Sequence, residues 1–295
     1  MSVPMAYIGV ILIWSTTPIA VLWSSEEVGF IFGMTSRMVF GAVFATMAVA
    51  LLGAGLTWNR KAMQLYLISG LTFFFAMFLI YWAVQFIPTG WVSLLYGFMP
   101  IATALMARVW LQSETLSTHR MFGMALGFVG LATIFSTAIS LSPNSALGIS
   151  AILLAVILHA GSSVWIKRQQ TAMPAIVMTS GGLLVAAPLF LLVWFVNGSG
   201  LPLHTSDKTL WSIAYLALFG SVFGFALYYY VLKNIDATKT SLITLIAPVL
   251  ALALGHMLNG EPLTSEIIAG AILILGGLML FELGHRIPIF MRKSQ

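Results

Sequence analysis

Ten long apolar runs, broken at short intervals by charged or turn-forming residues, organise this chain. They fall near 4–23, 30–55, 62–84, 89–111, 119–139, 145–166, 173–196, 209–231, 237–258 and 264–284. Each approaches the roughly 20 residues that a helix needs to cross the hydrocarbon core of a bilayer. The breaks carry charge or turn chemistry, as at Glu26-Glu27-Val28-Gly29, Asn59-Arg60-Lys61, Ile87-Pro88-Thr89-Gly90, Gln112-Ser113-Glu114 and Asn259-Gly260-Glu261-Pro262, and in 142–145, 167–170, 197–208 and 233–239. The runs are continuous rather than alternating, which favours helices over a barrel. The first begins at Pro4 with no basic segment before it and ends at Glu26-Glu27 with no small-residue cleavage site, so it is expected to be a retained helix. The pattern predicts an all-α membrane protein of ten transmembrane helices.

Composition removes the soluble alternatives. The 295 residues are 60% hydrophobic and 7% charged, against about a quarter charged in soluble domains, and too few ionisable groups remain to cover a water-facing surface. The 20 Phe, 9 Trp and 8 Tyr suit a bilayer and its edges. Cysteine is absent, which excludes disulfides and thiolate metal sites. A net charge of +5 raises nucleic acid as a partner, but the basic residues are scattered singly or in pairs and form no stripe or patch.

Their placement instead sets topology. Ten spans with a cytoplasmic N-terminus put Arg60, Lys61, Arg108, Arg120, Lys167, Arg168, Lys233, Lys239, Arg286, Arg292 and Lys293 on the inner side, eleven of the thirteen basic residues. Lys208 alone is outside and Arg37 lies within a span. The expected location is a cell membrane, the bacterial inner membrane, with both termini cytoplasmic.

The chain also repeats itself. Tyr81, Ile87, Ser93, Leu94 and Pro100 meet Tyr229, Ile235, Ser241, Leu242 and Pro248 at a constant offset of 148. After one deleted residue, Glu114, Leu116, Gly123 and Gly130 meet Glu261, Leu263, Gly270 and Gly277. The offset is half the chain, giving repeats at 1–141 and 142–295 with five helices each. Five is odd, so the second repeat enters the membrane upside down, and the loop charges invert accordingly: Glu26-Glu27 answers to Lys167-Arg168. Inverted repeats let two halves exchange conformations around a midplane site, as secondary transporters do. A channel or a membrane enzyme does not need that symmetry.

This arrangement of paired five-helix repeats, Pro100 and Pro248 helices, Glu-x-Leu turns at 114–116 and 261–263, and glycine-bearing helices from Gly123 and Gly270 resembles the EamA-type permeases of the drug/metabolite transporter superfamily. The resemblance spans residues 4–284. It implies a basket of helices 1–4 and 6–9 around a central cavity, with helices 5 and 10 packed outside. It also implies an exporter of amino acids or related metabolites working by alternating access. Where family members often carry Trp-Gly in the first helix and Trp-Ala in the sixth, this chain has Trp14-Ser15 and His159-Ala160.

Candidate cavity residues follow from position. Ser93, Tyr96 and Pro100 share one helix face, and Ser241, Thr244 and Pro248 repeat the spacing; each proline frees a carbonyl one turn earlier and marks a kink or gate. Ser and Thr back-bonding within a kinked helix is the structural alternative. His159 lies deep in the sixth run, as a substrate contact or as an interhelical hydrogen bond. Arg37, seven residues into the second, snorkels to the outer surface or faces the cavity to meet a carboxylate. Trp14, Tyr81, Trp91, Trp165 and Tyr229 can stack on a flat or cationic ligand, or pack as core. Glu114 and Glu261, beside helix N-termini, are expected to cap them rather than couple transport. The glycine helices suit close packing. No cofactor or metal is implied; the partners expected are a small-molecule substrate and lipid, with a homodimer left open. A channel or non-transporting sensor is the alternative function. An enzyme is disfavoured, with no HExxH pair and no Ser/His/Asp set able to meet at one depth.

Overall fold

A computed structural model describes residues 2–111, 117–141, 143–169, 173–198, 200–202, 204–234 and 243–286, with some side chains inside these helices excluded. Every regular element among the described residues is helical. We number them α1 (Val3–Trp23), α2 (Phe30–Leu51), α3 (Arg60–Ala83), α4 (Thr89–Tyr96 and Met99–Leu111), α5 (Thr118–Leu141), α6 (Pro143–Arg168) and α7 (Ala175–Val196). Three contiguous pieces make α8 (Asp207–Tyr215, a π-helical turn Leu216–Phe223, and Gly224–Asn234), followed by α9 (Ile243–Asn259) and α10 (Ser265–Leu283). Among the described residues eight helices are long and apolar enough to cross a membrane, and Leu245–Asn259 is a shorter apolar one.

The helix boundaries have local causes. Asn59 accepts from the Ala62 N–H at 2.8 Å to open α3, and the Ser206 and Thr264 side chains take the same role at α8 and α10. The second apolar run predicts a helix to 55, but α2 stops at Leu51 because Gly53 and Gly55 both turn at positive φ. The run at 89–111 predicts one rod. It breaks at Gly97-Phe98, whose N–H groups close tight turns onto Leu94 and Leu95, and Pro100 stands in the first turn of the second piece.

Packing joins the first five helices to the last five throughout. Helix α5 lies against α10, α2 and α3 against α7, α4 against α9, and α1 against α8 and α9. At the α5–α10 contact the backbones touch. A Cβ on Gly123 would stand 2.5 Å from the Gly277 carbonyl oxygen, and one on Gly130 would stand 2.7 Å from that of Gly270. The largest core cluster, with Met34, Tyr81, Trp91, Leu94 and Phe190 enclosed, runs between α2, α3, α4, α6 and α7. Outward faces are apolar in turn: Met5, Ile8 and Leu12 on α1, Phe40, Val43 and Met47 on α2, and Leu192 and Phe195 on α7 are all exposed. Rows of this extent need a lipid solvent, so the chain is a multi-pass membrane protein.

Candidate functional site

Arg37 is the least exposed charged residue among the described residues. It is only 4% exposed, turned inward from α2 rather than snorkelled outward, which settles its direction against the first of the two sequence expectations. Its Nε donates to Ser221 Oγ at 3.4 Å, and the guanidinium lies 6.0 Å from the centre of the Tyr81 ring. The π-helical turn of α8 makes this possible. The Ser221 hydroxyl donates to the Leu216 carbonyl five residues back, at 3.0 Å, which leaves its lone pairs for Arg37. Gly220 beside it leaves room, since a Cβ there would stand 3.2 Å from Arg37 Nη2. A guanidinium stays protonated in any protein. Among the described residues no carboxylate lies within 4 Å of it.

Arg37 and Ser221 line a cavity of about 20 Å³ with Met38, Phe73, Met77, Thr179, Leu183 and Gly220, so it sits between α2, α3, α7 and α8. That is room for about one water molecule.

Two further polar pairs join helices. Tyr96 Oη and His159 Nδ1 are 2.9 Å apart, joining α4 to α6, with both side chains half-buried. Tyr96 ends the first piece of α4, and Pro100, half-buried, deprives its carbonyl of the usual helical donor. Thr16 Oγ1 and Tyr215 Oη, 2.6 Å apart, tie α1 to α8.

The other candidates are dispersed. Tyr81 is fully enclosed, with its hydroxyl 3.4 Å from Ser24 Oγ and its ring facing Arg37. Trp91 is 1% exposed and packs in the core. Ser93 is half-buried on α4. Trp14 packs with Val10 and Leu227 near Gly224, where α1 meets α8. Trp165 is half-buried close to the Lys167-Arg168 end of α6, and Pro248 is buried within an unbroken stretch of α9. Ser241, Glu114 and the side chains of Tyr229 and Thr244 lie outside the described residues. Thr16, Tyr215 and Ser221 were not singled out by sequence; two are ordinary hydroxyls on apolar helices, and the π turn that aims Ser221 leaves no mark in a hydropathy pattern.

At one end of the bundle the halves are tied by carboxylates. Pro88 offers α4 no side-chain cap, and Glu261 supplies it from the α9–α10 turn. Its Oε1 accepts from Thr89 N–H at 2.8 Å and its Oε2 from Gly90 N–H at 3.2 Å, with Asn259 Nδ2 at 3.3 Å from Oε1. The carboxylate is 8% exposed, and Gly255 is bare where a Cβ would collide with it. Capping is the expected role, but the helix capped is α4, not its own neighbour α10. Nearby in sequence to the α1 end, Glu26 pairs with Lys208 at 2.5 Å, and Glu27 accepts from the Ser206 N–H at 2.8 Å. That N–H, with the Ser206 hydroxyl, holds the Glu27 carboxyl below the usual carboxylate range.

Comparison with known proteins gives the geometry a context. The EamA-like transporter family matches residues 2–136 and, separately, 146–283. An uncharacterized transporter, YoaV, of Bacillus subtilis (strain 168) is 26% identical over 280 residues, covering 94% of this chain and 96% of that protein. A probable amino-acid metabolite efflux pump of Salmonella typhimurium is 28% identical over 236 residues, 76% of this chain and 78% of its own length. A crystal structure with 18% sequence identity superposes over 100% of this chain and 99% of its own with a TM-score of 0.68, which speaks to the fold alone.

Proposed function

The chain belongs to the EamA-like transporter family, and on that footing we propose that it carries a small metabolite, an amino acid or related compound, out of the cell by alternating access. It is a membrane transporter and not an enzyme. In this proposal α1–α10 are ten spans, residues 1–141 and 142–295 are inverted repeats, and both termini face the cytoplasm across the bacterial inner membrane.

One observation carries the reading: among the described residues the principal helix contacts map onto one another when each helix is exchanged for the one five places on. The α5–α10, α2–α7 and α4–α9 contacts each map to themselves, α3–α6 maps to α8–α1, and α4–α6 maps to α9–α1. Two packings of near-equal energy are available to such a pair of halves, and a cavity on the pseudo-symmetry axis is exposed to alternate sides as they exchange. The Arg37 cavity is lined by α2, α3 and their counterparts α7 and α8, which supports this reading. The amino-acid assignment draws on the efflux pump relative, whose printed function is carried over here as a proposal.

Counterflow in proteoliposomes tests this. Vesicles loaded with unlabelled amino acids should accumulate labelled tracer transiently and saturably. A flux that grows linearly with concentration would mark a channel, and no flux with any solute would mark a sensor.

A further inference from the structure

Arg37 is a buried, permanent positive charge that no carboxylate among the described residues neutralises. It is 96% enclosed, its hydrogen bond is to a neutral serine, and none of the described carboxylates reaches it. The eight acidic residues of the chain are Glu26, Glu27, Glu114, Asp207, Asp236, Glu261, Glu266 and Glu282, all in the loops or end turns read from the sequence. Burying a charge without a partner is expensive, and such a charge persists where a ligand supplies the partner. Thr179 adds one hydroxyl to the lining, and Met38, Phe73, Met77 and Leu183 make its apolar part.

We propose that Arg37 is the anchor for the carboxylate of an organic monoanion whose apolar remainder packs against these side chains. The inference rests on the carrier reading and moves its substrate from the amino acid itself to a related monocarboxylate. The guanidinium fork matches a carboxylate bidentately, and Ser221 holds it by one nitrogen, leaving its remaining donors for the ligand. An ammonium group would find no counter-charge here. A monocarboxylate is therefore preferred over the zwitterion of the same skeleton, and over the amine. The cavity as it stands admits about one water, so the ligand enters as α2 and α3 part from α7 and α8; the unbranched methionines at the lining adapt readily.

The test holds the apolar tail constant and varies the head: 4-methylpentanoate, leucine, 4-methylpentanamide and 3-methylbutylamine, with an aromatic series on phenylpropanoate, each titrated into the purified full-length protein in a thermal-shift assay. A carboxylate near saturation should raise Tm by about 5 °C. The zwitterion should do so less, and the amide and amine not at all. Sodium chloride at matched ionic strength is the control for a simple anion site. Arg37→Met should raise Tm of the unliganded protein, because an unpaired charge is removed, and abolish the carboxylate response. Arg37→Lys should retain it about tenfold weaker. Equal responses to amide or amine, an equal response to chloride, or no carboxylate response in either series overturns the assignment on wild-type protein alone. So does an Arg37→Met protein with lowered Tm that still responds. Counterflow of an amine or neutral solute, with carboxylates inert, would sink this site while leaving the carrier standing; no counterflow at all would sink the carrier instead.

Discussion

Replacing Glu261 by alanine isolates a cap that one half of the molecule places on the other. The carboxylate satisfies two N–H groups at the start of α4, Thr89 at 2.8 Å and Gly90 at 3.2 Å. Neither has a local substitute, because the residue at the cap position is Pro88. Hydrogen bonds to a charged acceptor contribute about 1.5–3 kcal/mol each, and losing a cap typically costs about 1 kcal/mol. The two bonds share one acceptor group, and water can enter a turn at the bundle end. We therefore expect about 3 kcal/mol in total for Glu261→Ala. For a domain of this size about 2 °C of Tm corresponds to each kcal/mol, so the drop should be near 6 °C. Glu261→Gln keeps one accepting oxygen but turns an NH₂ toward the second amide, and should lose about half as much. Thr89→Ala leaves both backbone bonds in place and is the control. Thermal unfolding of the three variants in detergent measures the series. A Glu261→Ala protein within 1 °C of wild type would refute the capping account.

Three more outcomes follow from other contacts. The Glu27 carboxyl is held below the ordinary value by the Ser206 N–H, so its contribution is present above the unfolded value, about pH 4.3, and is lost as pH falls through the lower folded value; Glu27→Gln should flatten Tm below about pH 4.3, and an unchanged acid limb would dismiss the bond. Tyr96→Phe leaves His159 Nδ1 without its partner and should cost about 1 kcal/mol, seen as a Tm lower by about 2 °C. Gly277→Val would drive a Cβ to 2.6 Å from the Gly123 carbonyl oxygen, and overpacking against backbone should cost at least about 3 kcal/mol, visible as lost monodispersity on size-exclusion chromatography.

The glycine seam was legible in the chain because small residues spaced at Gly123, Gly130, Gly270 and Gly277 have one strong use between membrane helices. The apolar rods were legible for the same kind of reason, since in lipid every backbone group must be satisfied locally. Direction was not. Hydropathy gives the depth of Arg37 but not the side of α2 it occupies, and both snorkelling and facing inward fit the same position. Glu261 announces itself as a cap by its place beside a helix end, yet the helix it serves begins 172 residues away, a pairing that only tertiary structure sets. The π turn at Leu216–Phe223 is apolar whether it winds with 3.6 residues per turn or more. The Tyr96–His159 pair needed the orientation of two helices, which no spacing along one chain contains.

The α5–α10 seam carries a consequence for how the protein is made. Helix α5 ends at Leu141, while its partner is complete only at Leu283. During synthesis the bare glycine face of α5 therefore waits beside lipid or the insertion machinery while five more helices are threaded. Closing the seam is a late event, a latch that can engage only after both halves are in the bilayer. Lesions at Gly270 or Gly277 should on this view leave a full-length, inserted chain whose first half has already folded, and whose failure is one of assembly.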